Sequence, residues 1–132
     1  MSIGVMKLVW ATPSTEDSPL ASSVDRFTLL ALADNSDDFG FAFPFHTTVC
    51  KKTGLSLPAV KRSIRKADKN GLLWRAGRDR DNGSATSSVY RFNLDALSEL
   101  SGESAPDFNW SEFRDHPLLS HFAEDVRQGW GL

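Results

Sequence analysis

The stretch from Gly54 to Gly71 (GLSLPAVKRSIRKADKNG) constrains the fold more than any other part of the chain. Ser56 is a good helix N-cap, Pro58 is tolerated in a first turn, and Asn70-Gly71 is a stop signal. Between them Leu57, Val60, Ile64 and Ala67 fall at i, i+3, i+7 and i+10, which is one face of a helix. Lys61, Arg62, Arg65, Lys66 and Lys69 occupy the rest of the circumference. The spacing predicts a helix over about 57–70 that is seated on one side and cationic on the other.

The flanking segments give this helix a setting. Leu20, Val24, Phe27, Leu30 and Ala31 recur at spacings of three and four and predict a helix from Leu20 to Asp34 with that stripe inward. Ala11 to Ser18 reads as a linker ahead of it. Phe39 to Phe45 (FGFAFPF) alternates aromatic and small residues up to Pro44, as a short edge strand would. His46 to Thr53 forms a short helix with Val49, Cys50 and Thr53 inward. Gly54 then supplies a left-handed turn, and Leu55 an apolar plug. Leu72 to Arg78 and Ser87 to Leu94 read as strands, with Tyr90, Phe92 and Leu94 on one half-buried face. Asp81-Asn82-Gly83 lies between them as a hairpin tip. Helix, short strand, helix, Gly turn, basic helix and hairpin is the order of a winged helix-turn-helix. In that arrangement the basic helix enters the DNA major groove and the hairpin flanks it. The fold class expected is therefore α+β: mostly helical, with a C-terminal β-hairpin wing and a helical extension behind it.

Charge distribution supports the same reading. The 132 residues carry 15 Lys and Arg against 17 Asp and Glu. Between Lys51 and Arg91, however, there are eleven Lys and Arg against three Asp, which leaves four against fourteen elsewhere. A basic middle between acidic ends suits a polyanionic partner for one face. Cys50 is the single cysteine, so neither an internal disulfide nor a Cys-rich zinc site is available, and a reducing cytoplasmic setting is expected. Cys50 reads as a small core residue. His46, His116 and His121 share no metal-ligand spacing, and no phosphate loop, paired-carboxylate constellation or nucleophile elbow is present. The expectation is a non-enzyme that uses no cofactor and no metal and has no membrane span.

Three stretches resemble a known family: FTLLALADNSDDFGFAFP (Phe27 to Pro44), TGLSLPAVKRSIRKADKNGLL (Thr53 to Leu73) and VYRFNL (Val89 to Leu94). They look like the small winged helix-turn-helix proteins encoded by actinobacteria and their phages and plasmids, which are related to the DNA-binding modules of some phage and plasmid replication initiators. With the opening MSIGVMKLVW, the resemblance covers roughly the first seventy per cent of the chain, and it is more specific for fold than for biological role. It implies binding of duplex DNA, often as a dimer. The chain departs from the family at Leu57-Pro58-Ala59, where polar or basic residues are usual. First-turn readout is thereby limited to Ser56 and to apolar contact with a thymine methyl, for which Ala59 is the candidate. It departs again at Phe45, where a capping Ser or Thr is usual, leaving Thr47 or Thr48 to satisfy the helix amides.

The candidate DNA-binding residues follow. Lys61, Arg62 and Arg65 lead, as contacts to base edges and phosphates. Lys66 and Lys69 can serve either phosphate or the helix dipole. Thr47, Thr48, Lys51 and Lys52 are placed to touch the backbone from the first helix of the pair. Arg75, Arg78 and Arg80 lie on the first arm and tip of the hairpin as phosphate or minor-groove contacts, the competing account being local neutralisation by Asp79 and Asp81.

Domain organisation is read as residues 1–95 for the DNA-binding domain, 96–106 for a short helix (Leu94 to Leu100) and linker, and 107–132 for an acidic, aromatic-rich tail. Leu119, Phe122 and Val126 predict a helix from about Pro117 to Gln128. Phe108, Trp110, Phe113, Leu119, Phe122, Val126 and Trp130 need apolar cover, and dimerisation or a protein partner is favoured over internal docking. The leading functional expectation is a sequence-specific, double-stranded DNA-binding transcriptional regulator acting as a homodimer. The alternatives are a phage or plasmid origin-binding replication factor, and a winged-helix module that grips an acidic protein partner.

Overall fold

The computed structural model describes residues 1–15, 18, 20, 22–43, 46–76 and 89–132. Among these the chain is α+β, with seven α-helices, a short 3-10 helix and a three-stranded antiparallel sheet. In order they are α1 (Ile3–Ala11), α2 (Ser23–Asp34), β1 (Phe41–Ala42), α3 (His46–Thr53), α4 (Leu57–Lys69), β2 (Leu73–Ala76), β3 (Val89–Phe92), α5 (Leu94–Ser101), α6 (Trp110–Arg114), the 3-10 turn Pro117–His121 and α7 (Glu124–Gln128).

Helix α1 has no counterpart in the sequence expectation. The Ser2 side chain accepts from Val5 N at 3.1 Å and starts the helix, and Val5, Leu8 and Val9 are buried one turn apart. Its C-terminal carbonyls are met by a side chain from α2. The Arg26 guanidinium donates to Val9 O at 2.9 Å, to Trp10 O at 2.7 Å and to Thr12 O, satisfying groups that a helix end leaves open.

Helix α2 begins at Ser23 behind an Ser22 cap, not at Leu20, and its inward face is rotated from the one expected. The buried residues include Asp25, Thr28, Leu29 and Leu32, whereas Val24 is 37% and Phe27 47% exposed. The offset is one residue, about 100° around the axis. Its cause is the central position of α2 against α1, α3 and α4, where Asp25 turns inward to partners on α4. Val24, Phe27 and Leu30 instead border a shallow apolar depression with Trp10 and Leu55. Leu20 is fully buried, although it precedes the helix.

Helices α3 and α4 have the expected bounds and faces. Val49, Val60, Ile64 and Ala67 are buried, and Leu57 and Cys50 half-buried. Gly54 sits at φ +74° with its N–H donating to Cys50 O at 2.8 Å, a left-handed cap that a side chain would strain.

The sheet order is β1-β3-β2, so β1 is an edge strand as expected. Phe41 pairs with Arg91 and Ala42 with Tyr90, while Leu73, Trp74, Arg75 and Ala76 face Phe92, Arg91, Tyr90 and Val89. The hairpin tip with Asp81-Asn82-Gly83 falls outside the described residues. Strand alternation sends Ala42, Leu73, Tyr90 and Phe92 into the core formed with the first five helices. Phe41, Trp74, Ala76 and Val89 point to the opposite face.

That second face corrects two expectations. All four residues of β3 are buried, so the half-buried strand pattern does not hold. The cover is the chain's own tail: Phe113, Leu119, Phe122 and Trp130 are buried against Phe41, Ala76 and Val89, with Phe108 and Val126 packed alongside. The tail residues expected to meet a dimer partner are thus engaged in internal packing, Trp110 least of all, since it rests on Phe108 and Phe113 but stays 52% exposed. Internal docking gives up no translational freedom, and it covers a sheet face that would otherwise be apolar and wet. The single helix expected over Pro117–Gln128 is broken at Phe122, whose φ of −100° and ψ of 145° are extended. Asp37 fastens the arrangement. One carboxylate oxygen accepts from Phe39 N and Phe41 N, and the other is 2.7 Å from His116 Nε2. His116 also stacks on Phe41 with ring centroids 4.2 Å apart.

Candidate nucleic-acid interface

Helix α4 is positioned from beneath by its apolar stripe and from one flank by a half-buried ion pair. Asp25 on α2 accepts from Ser63 Oγ at 2.9 Å and from Lys66 Nζ at 2.7 Å. Burial pushes the Asp25 carboxyl up, but hydrogen bonds from Lys66, Ser63 and Ser22 and the Lys66 charge outweigh this and hold its pKa below the usual value. Lys66 is therefore committed to holding α4 in place.

Two other candidates are similarly engaged. Lys52 Nζ is 2.8 Å from Asp34 and 3.4 Å from Asn35 Oδ1, which ties α3 to the end of α2. Arg75 Nε donates to Asp68 at 3.0 Å. By contrast Lys51, Lys61, Arg62, Arg65 and Lys69 have no acidic partner among the described residues. Lys61 is half-buried, and the other four are exposed. All five stand on α3 and α4, the helices joined by the Gly54 turn.

Lys61 and Arg65 converge with Arg75 on a cleft of about 170 Å³ between α4 and the sheet. Ile64 forms one wall, and His46 and Tyr90 line it as well, sharing a 2.6 Å hydrogen bond between Nε2 and the phenol oxygen. An arrangement of this kind offers cationic side chains over a narrow, partly desolvated recess, which strengthens attraction for an anionic group.

The remaining candidates are less equipped. Thr47 is exposed and Thr48 half-buried on α3. Ser56 Oγ is engaged as the α4 cap, accepting from Ala59 N at 3.3 Å, and Ala59 is half-buried. Arg78 and Arg80, with Asp79 and Asp81, lie outside the described residues.

Arg91, counted in sequence with the basic middle, is buried on the tail side of β3. A lone arginine inside the apolar run VYRF is the signal that could have marked it. Compared with family models, curated proteins and solved structures, the chain matches none. Among the described residues no helix is long and apolar enough to cross a membrane.

Proposed function

We propose that this chain is a winged-helix protein that binds double-stranded DNA, with α4 in the major groove and the segment joining β2 to β3 as the flanking wing. The observation that carries this reading is the two-sidedness of α4. Val60, Ile64 and Ala67 are buried, while Lys61, Arg62, Arg65 and Lys69 project without acidic partners among the described residues. The acidic tail supports it by its position, packed on the sheet face opposite the one that meets the helical core.

Lys51 on α3 adds a phosphate contact beside the groove, and Arg62 and Arg65 supply the bidentate geometry suited to guanine or phosphate. With Ser56 occupied as a cap, base discrimination from the first turn rests on apolar contact by Pro58 and Ala59. Sequence-specific binding of this kind suits a transcriptional regulator.

Anisotropy titrations of a labelled duplex pool at low salt test the proposal. The wild-type chain binds, and replacing Lys61, Arg62 and Arg65 together by Ala weakens binding by about 100-fold or more. Absence of duplex affinity in the wild type, or equal affinity in the triple variant, overturns it. Selection from a random duplex pool then reads specificity; failure to enrich any sequence removes the regulator role.

A further inference from the structure

We propose that the cleft between β2, β3 and the tail binds a small carboxylate carried on a flat apolar body, with the Arg91 guanidinium as its anchor. The cleft measures about 310 Å³, in the range of small-molecule sites. Trp74, Phe108, Trp110 and Trp130 are among its lining residues, and Arg91 opens onto it. It lies on the other side of the sheet from α4, so the inference does not depend on DNA binding.

Arg91 is the unusual element. Only 7% of it is exposed, yet it has no ion pair among the described residues. Nε donates to Phe39 O at 2.9 Å, and the two terminal nitrogens have no hydrogen-bond partner among the described residues. The guanidinium carbon sits 4.6 Å from the ring centroids of both Phe113 and Trp130, 5.6 Å from Phe41 and 5.8 Å from Trp74. Its faces are thus taken by aromatic rings. Burial, opposed by the charges of Asp95 and Asp37, pulls its pKa down to about 10.

A nearly buried cation without a carboxylate is costly to desolvate, and ring contacts and one hydrogen bond offset only part of that cost. Packing alone therefore does not explain it. The free edge of a guanidinium held by its faces matches a carboxylate bidentately. Trp130 lines the same cleft, and its indole Nε1 is buried without a hydrogen-bond partner among the described residues, so that nitrogen reports on rearrangement of the wall. Asp95 and Asp107 at the cleft disfavour a polyanion such as phosphate and leave room for a ligand with one negative charge. The aromatic walls select a flat apolar body.

The test is a titration of the full chain with sodium benzoate and sodium indole-3-acetate, followed by the side-chain N–H resonances of Arg91 and Trp130. Benzamide and inorganic phosphate are the comparators. At least one carboxylate saturates with Kd of about 1 mM or tighter and moves both resonances, and benzamide binds at least about tenfold more weakly than benzoate. Arg91→Met, which keeps the volume and removes the charge, weakens carboxylate binding at least about tenfold while the melting temperature stays within about 5 °C. Trp110→Ala, which removes a half-exposed wall resting on Phe108 and Phe113, weakens it several-fold. Saturation by neither carboxylate up to about 10 mM, benzamide binding as well as benzoate, or phosphate binding more tightly than both overturns the proposal. If Arg91→Met fails to fold, Trp110→Ala decides: unchanged affinity overturns the site, and weakened affinity supports it.

Discussion

The Lys66 ammonium lies 2.7 Å from the Asp25 carboxylate, and this pair bolts the cationic helix α4 to α2. Replacing Asp25 by Asn leaves Lys66 without its counter-charge and weakens the bond to Ser63, at an expected cost of about 1–3 kcal/mol in urea unfolding. The folded-state pKa of Asp25 lies below its unfolded value of 3.8. Its contribution is therefore complete above that value and fades as pH falls through the folded one. The stability gap between wild type and Asp25→Asn should hold near pH 7 and narrow below about pH 4. A gap that widens on acidification would show that the pair does not act this way.

The orientation of α2 can be checked by two truncations on neighbouring faces. Leu29 is fully buried, whereas Phe27 is 47% exposed. Leu29→Ala should cost about 2–5 kcal/mol, and Phe27→Ala about 1 kcal/mol or less despite the larger side chain removed. The reverse order would restore the orientation that the sequence periodicity suggests.

Salt dependence counts the cations that reach phosphate. With Lys51, Lys61, Arg62, Arg65 and Lys69 available and Lys52, Lys66 and Arg75 engaged elsewhere, about five contacts predict a slope of log affinity against log salt near −4.5. The triple alanine variant at Lys61, Arg62 and Arg65 should flatten the slope to about −2, and Lys52→Ala should change it by well under one unit. A wild-type slope close to zero would mean that these side chains do not meet a backbone.

A chain ending at Ser101 loses Phe113, Leu119, Phe122 and Trp130 and bares Phe41, Trp74, Ala76 and Val89. It should melt well below the full chain, bind a hydrophobic dye and associate in sedimentation, because a contiguous apolar face is exposed. If it stays monomeric with an unchanged melting temperature, the tail is not a structural cover for the sheet.

The parts of the fold legible in sequence are those set by local rules. Ser56, Gly54 and Asn70-Gly71 delimit α4, and period-two alternation marks β3, because caps, left-handed turns and pleats act over a few residues. What escaped was decided by distant partners. The stripe at Val24 and Phe27 fits a buried helix face, but only the pairing of Asp25 with Ser63 and Lys66, some forty residues away, says which face turns inward. Likewise Leu119, Phe122 and Val126 fit one helix. The break at Phe122 follows from how the tail wraps Phe41 and Trp130, which periodicity does not encode. In the candidate interface, the cationic character of α4 was plain from composition. That Lys52, Lys66 and Arg75 are each claimed by a nearby aspartate was not, because ion pairs between elements depend on tertiary geometry.

Strand β3 is only four residues long, yet its neighbours on the two sides differ sharply in chemistry. Tyr90 and Phe92 meet aliphatic helices, while Val89 and Arg91 meet a nest of rings. Sliding the strand by one position would thrust a guanidinium among leucines and a phenol among indoles, a penalty incurred in both compartments at once. So brief a ladder can keep its alignment because each compartment rejects what the other accepts.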